Sequence, residues 1–134
     1  YAASSSCYGI PKKYPTNESE HIDPKYPYAF SKNLGEQTII HWSKIYKINF
    51  VSLRLFNVYG TRSRTNSAYG AALGVFLKQK LSNHPFTIIG SGKQKRDFIH
   101  VNDVVKAFYR STKKSVKPID RKYSRLVKFV RSIQ

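Results

Sequence analysis

The stretch "YPYAFSK" (26–32) places Tyr28 four residues before Lys32. Four residues make about one helical turn, so the two side chains share a face. An ammonium beside a phenol favours the phenolate, and a phenolate available near neutral pH is a general base. The same pair on a solvated helix face would carry no chemistry, so the surrounding sequence has to decide. From Pro27 to about Lys47, Phe30, Leu34, Thr38, Ile39 and Trp42 recur near the helical period. Pro27 suits a first turn, and Gly35 permits close packing against a neighbour. The spacing predicts a helix over 27–47 with Tyr28 in its first turn.

Upstream, "YAAS" (1–4) reads as the end of a buried strand and "SSSCYG" (4–9) as a small, polar loop at its carboxyl edge. Residues 10–27 hold four prolines and many polar residues, which predicts a surface loop. Downstream, "NFVSLRLFNVYG" (49–60) is a β-rich run, apolar on both faces apart from Arg54, as a central parallel strand would be. The polar, basic segment 61–70 reads as a loop, 71–81 as a helix, "FTIIG" (86–90) as a short strand and "RDFIHV" (96–101) as another. Residues 102–114 read as a helix capped by Asn102 or Asp103. The tail 115–134 has the pattern of a basic amphipathic helix through Tyr123, Leu126, Val127 and Val130. This order of elements predicts an α/β fold, part of a doubly wound sheet. Ligands in such sheets sit beyond the carboxyl ends of the strands. "SSSCYG" and "NVYG" both fall there, beside the helix that Tyr28 opens.

The 134 residues, 40% hydrophobic and 14% aromatic, suffice for one folded domain with a modest core. A single cysteine, Cys7, excludes an intrachain disulfide and fits a reducing, cytoplasmic setting; it reads as a packing residue. No run of about 18 apolar residues predicts a membrane span, and the first residues lack the pattern of a signal peptide. The formal charge of +17 is uneven: residues 1–100 carry net +9 and residues 101–134 net +8. That balance favours anionic partners, whether nucleotide phosphates, nucleic acid or a membrane surface. No His/Cys/Asp cluster has metal-ligand spacing, so no metal is expected, and His100 reads as a strand side chain. The chain has no methionine and opens inside a strand, which suggests a piece of a longer protein.

Four blocks stand in register: "YAASSSCYG" (1–9), "YPYAFSKNLGEQ" (26–37), "SLRLFNVYG" (52–60) and "KRDFIHVNDVVKAF" (95–108). On these the chain resembles the extended short-chain dehydrogenase/reductases, the NAD-dependent epimerase/dehydratase family, over roughly residues 1–110. The resemblance implies the C-terminal part of a doubly wound Rossmann-type parallel sheet plus part of a small substrate domain. Residues 1–65 would be the second half of the NAD-binding domain, 66–115 a nucleotide-sugar-binding portion and 116–134 a basic tail, either genuine or frame-shifted. It implies NAD as cofactor, with Tyr28 and Lys32 at its nicotinamide ribose and Phe56 beside the nicotinamide. Tyr28 would take the proton from the sugar 4-hydroxyl, Lys32 would support the phenolate, and Ser4 would hydrogen-bond the 4-oxygen. Asn57 and Arg96 would serve the substrate diphosphate, with Arg62 and Arg64 adding charge nearby. A loop cap for Ser4, a turn for Asn57 and an ion pair with Asp97 for Arg96 are the competing structural readings.

Related 4,6-dehydratases carry carboxylates where this chain has Ser5 and Ser6, and a hydroxyl cannot replace a carboxylate in eliminating water. Dehydration, and the similar decarboxylation of UDP-glucuronate, are therefore disfavoured. The serine block is most similar to that of UDP-glucose and UDP-N-acetylglucosamine 4-epimerases. The implied partners are a UDP-sugar and a second copy in a full-length homodimer, with no membrane. Two departures stand out. The glycines at 9, 35, 60, 70, 74, 90 and 92 give no G-x-x-G-x-x-G turn for a dinucleotide, so the 134 residues alone are expected to be inactive. The tail 113–134 follows no family pattern. A nucleic-acid-binding module using that basic tail, or an inactive remnant, are the other readings.

Overall fold

A computed structural model describes residues 1–63, 65 and 72–113, together with the backbone of 126–130. Its elements are β1 (Ala2–Ser4), a 3₁₀ turn (Ser5–Tyr8), α1 (Pro27–Tyr46), β2 (Val51–Leu55), β3 (Asn57–Tyr59), α2 (Ala72–Leu81), β4 (Phe98–His100), α3 (Val101–Lys113) and β5 (Leu126–Val130). β1, β2 and β5 form a parallel sheet in the order β1-β2-β5, while β3 and β4 form a second parallel pair. The α/β class and the parallel, Rossmann-type sheet agree with the sequence. Leu53, Ile99 and Val104 are buried together, with Val51, Leu55, Val58, Ala107 and Phe108 packed around them. This core welds the two sheets to α3.

The helix predicted at 27–47 is α1. Pro27 stands at its first turn, and Lys47, at φ 53°, closes it by donating its N–H to the Ser43 carbonyl. The predicted apolar stripe, however, is not the buried one. Ala29, Glu36 and Ile40 face inward, whereas Phe30, Leu34 and Trp42 are each more than half exposed. Beside Ile40 the inner face carries a small residue and a polar one, Ala29 and Glu36, because α1 lies close against β1. A Cβ on Gly35 would collide with the Tyr1 hydroxyl.

Other expectations need correcting. The run 49–60 is two strands, not one: β2 lies between β1 and β5, and after Phe56 the chain leaves that sheet to pair β3 with β4. "FTIIG" is not a strand. Phe86, Ile88 and Ile89 are exposed there, and the Thr87 N–H donates to the Gln79 side chain rather than to a neighbouring strand. Neither Asn102 nor Asp103 caps α3, which starts earlier, at Val101. The His100 ring does so, its Nδ1 accepting from the Asn102 N–H at 3.2 Å. Within the tail, Leu126–Val130 is not helical. It pairs parallel with β2, from Val51↔Leu126 to Leu55↔Val130. Branched and aromatic residues suit that extended pairing, which satisfies the open edge of β2. Tyr123 and Arg64 lie outside the described residues.

Candidate active site

The parallel register sets Ser4 beside Leu55, so the carboxyl ends of β1 and β2 finish together. The 3₁₀ turn leaves one end and Phe56–Asn57 leaves the other. Above them opens a cleft of about 1280 Å³, lined by Ser4, Ser5, Ser6, Tyr8, Tyr28, Phe56, Asn57, Lys95, Arg96 and Asp97, with Tyr14 and Thr16 from the proline-rich loop. Residues from four separated segments thus meet where a doubly wound sheet binds its ligands.

Tyr28 is 58% exposed, and its phenol has no hydrogen-bond partner among the described residues. Lys32 does not line the cleft. Its ammonium donates to the Ala2 carbonyl at 3.2 Å and lies 6.0 Å from the Tyr28 ring centroid. Ser4 caps the 3₁₀ turn: its Oγ accepts from the Ser6 N–H at 3.2 Å and from the Ser6 hydroxyl at 2.8 Å. The capping reading and the cleft-lining reading of Ser4 therefore hold together. Its own hydroxyl proton remains for a partner.

Asn57 is not a turn residue. It starts β3, and both its N–H and its Nδ2 donate to the Asp97 carbonyl, at 3.2 and 2.9 Å. That leaves the Asn57 amide oxygen and one amide proton for a ligand. Arg96 folds its guanidinium onto the Lys95 carbonyl at 2.9 Å and makes no ion pair with Asp97. Arg62 is exposed in the turn after Gly60 and does not line the cleft.

Sequence reasoning singles out Arg54 only as a charge in an apolar run. In the fold it makes a two-pronged pair with Glu36 of α1: Nη2 to Oε1 at 2.6 Å and Nε to Oε2 at 3.0 Å. Both side chains are almost fully buried, 6% and 1% exposed. Nη1 also donates to the Tyr8 hydroxyl. The available signal is the spacing of Glu36, which follows Tyr28 and Lys32 at successive four-residue steps. Burial opposes the Arg54 charge, but its hydrogen bonds to Glu36 and Tyr8 outweigh that and raise its pKa further. Burial pushes the Tyr8 phenol up to about 12 and the Cys7 thiol up to about 11, against the lowering effect of Arg54. Cys7 is 1% exposed, the packing residue expected.

The residues present suit one end of a dinucleotide. An exposed phenol, a nearby ammonium and an aromatic ring at a strand end could hold a nicotinamide ribose: Tyr28, Lys32 and Phe56. No group of three or more His, Cys, Asp or Glu among the described residues could hold a metal ion. No described helix is long and apolar enough to cross a membrane.

The chain is 33% identical over 110 residues to the UDP-glucose 4-epimerase of Mycolicibacterium smegmatis, covering 82% of this chain and 35% of the relative. It spans about a third of the length of the curated relatives it matches. Among solved structures it superposes on the UDP-N-acetylglucosamine 4-epimerase of Methanobrevibacter ruminantium, in complex with UDP-N-acetylmuramic acid, with a TM-score of 0.87 at 34% identity. That match covers 98% of this chain and 40% of the other. The UDP-glucuronic acid 4-epimerase of Bacillus cereus, in complex with UDP-glucuronic acid and NAD, gives a TM-score of 0.82 at 28% identity, covering 99% of this chain and 39% of the other. Residues 1–123 match the pattern of one family, so the likeness runs past residue 110 into the segment expected to follow no family pattern. With its parallel strand ends, its serine turn and Tyr28 gathered at one cleft and Lys32 one helical turn behind, the chain belongs to the NAD dependent epimerase/dehydratase family.

Proposed function

We propose that the whole protein interconverts a UDP-sugar and its 4-epimer through a 4-keto sugar, with residues 1–65 completing an NAD-binding domain and 66–115 contributing to the nucleotide-sugar site. NAD, when bound, supplies the acceptor and then the donor of the C4 hydride. Tyr28 takes the proton of the 4-hydroxyl and later returns it. Its exposed phenol, without a hydrogen-bond partner among the described residues and lining the cleft, supports this role. Lys32 holds the ribose hydroxyls and keeps positive charge beside Tyr28. Ser4, its oxygen already accepting two hydrogen bonds from Ser6, directs its proton to the sugar 4-oxygen. Phe56 flanks the nicotinamide, and Asn57 and Arg96 receive the diphosphate. For Arg96 that requires release from the Lys95 carbonyl, and charge-assisted bonds to a phosphate are the stronger ones.

One observation carries this reading: Ser4, Tyr28, Phe56, Asn57 and Arg96, from four separated segments, line a single cleft. Ser5 and Ser6 in that cleft offer hydroxyls where elimination would need a carboxylate. The exposed stripe of Phe30, Leu34, Trp42 and Ile45 on α1 supports a homodimer through this helix. The test is to express the protein with the coding sequence that flanks these residues. It is then incubated with UDP-glucose, UDP-N-acetylglucosamine and UDP-glucuronate, and the products are separated by chromatography. One 4-epimer pair is expected to interconvert, and Tyr28→Phe is expected to slow it by about 10²-fold or more, in line with loss of a general acid–base group. Wild-type protein that holds NAD yet interconverts none of the three pairs refutes the proposal.

A further inference from the structure

The Arg54–Glu36 pair lies beneath the cleft and takes no part in the proposed proton transfers. Its placement joins three elements. Glu36 follows Tyr28 and Lys32 on the same face of α1, at successive four-residue steps. Arg54 stands in β2 directly beside Ala3, the residue before Ser4. Its remaining prong reaches the hydroxyl of Tyr8, which ends the turn that Ser4 caps and lines the cleft. The same nitrogen reaches the Glu18 carbonyl at 3.4 Å, in the proline-rich loop. The guanidinium centre sits 5.0 Å from the Tyr8 ring centroid.

Stability alone does not account for such a pair. Desolvating two charges offsets most of their attraction, and apolar side chains of similar volume often do as well or better. An apolar contact, however, slides. A planar fork on a carboxylate fixes both distance and plane. We propose that Arg54 is a positioning residue: clamped by Glu36, it locks the helix carrying Tyr28 and Lys32 in register with the turn carrying Ser4, through Tyr8. Its consequence for rate rests on the epimerase reading above, since a misplacement of about 1 Å at a reacting centre costs on the order of 10²-fold.

The test uses the protein expressed with its flanking coding sequence and three variants: Glu36→Leu/Arg54→Met, Tyr8→Phe and Arg54→Lys. The double variant is expected to fold with a urea midpoint at or above that of wild type, yet to lose at least ~10-fold in kcat with KM changed less than ~3-fold. Tyr8→Phe keeps the buried pair and the ring contact but removes the hydrogen bond that ties Arg54 to the turn, so a smaller kcat loss of the same kind is expected. Arg54→Lys keeps the charge without the fork and should fall between. Crystal structures of the variants give a readout independent of activity: the separation of Ser4 Oγ from Tyr28 Oη should change by about 1 Å. Wild-type kcat and an unchanged separation in the double variant, or in Tyr8→Phe if the double variant does not fold, overturn the proposal. If wild type proves to have no epimerase activity, that reading fails by itself, and the measured separation alone decides the positioning role.

Discussion

Raising the pH should weaken the fold through Cys7, and Cys7→Ala should remove that part of the weakening. The thiol is 1% exposed, and burial raises its pKa from 9.0 to about 11. Below pH 9 the thiol is protonated in folded and unfolded chains alike, so the stability is fully present. Between pH 9 and 11 the unfolded thiol ionises while the folded one cannot, and stability is lost as the pH rises. Two pKa units correspond to about 3 kcal/mol over the whole window, of which roughly 1 kcal/mol is gone by about pH 10. The assay is urea unfolding of wild type and Cys7→Ala at about pH 8 and pH 10. The variant leaves a small void, but that cost is the same at both pH values and cancels in the comparison. The loss between the two pH values should be about 1 kcal/mol smaller in Cys7→Ala. Tyr8, raised from 10.0 to about 12 by burial, weakens the fold over a later window and does so in both proteins. Equal losses in the two proteins would refute the claim that this thiol is held neutral by burial.

Gly9 closes the serine turn at φ 60°, ψ −121°, and a Cβ there would collide with the Asp23 carbonyl. Gly9→Ala should therefore cost about 3 kcal/mol, read as a lower urea midpoint; an unchanged midpoint would show that the loop yields freely. Ser52 is 0% exposed in the central strand, and its hydroxyl finds no partner among the described residues. Ser52→Ala should raise stability, by up to about 1 kcal/mol, and a loss would reveal a partner for that hydroxyl.

What the sequence discloses, and what it hides, follows from the range of the interactions involved. The roles proposed for Tyr28, Ser4, Phe56 and Asn57 come from the family resemblance, but their shared place at one cleft is legible because each sits near a local signal. Tyr28 opens a helix behind a proline, Ser4 ends a short apolar strand, and Phe56 and Asn57 follow a branched one. Parallel pairing then brings those ends together without further information, since Ser4 and Leu55 lie side by side. The misreadings share the opposite cause. "FTIIG" has the composition of a strand, but a strand exists only with a neighbour, and Gln79 takes the Thr87 N–H instead. The tail alternates well enough for a helix, yet the vacant edge of β2 draws residues 126–130 into the sheet. The outer stripe of α1 has the periodicity of a packing face, yet it is the exposed face in this fold, because periodicity alone does not say whether a neighbour covers it. The buried face uses Ala29, Glu36 and Ile40, and no hydrophobic pattern selects Glu36. Glu36 makes sense only beside Arg54, eighteen residues away in sequence and 2.6 Å away in space. A carboxylate and a guanidinium that each look misplaced in their own element, one on the inner face of a helix and one in the middle of a strand, are mutually explained once the two elements pack. Two such misfits in consecutive elements are thus a usable signal: each offsets the other's cost of burial, and together they predict, from sequence, that helix and strand are in contact.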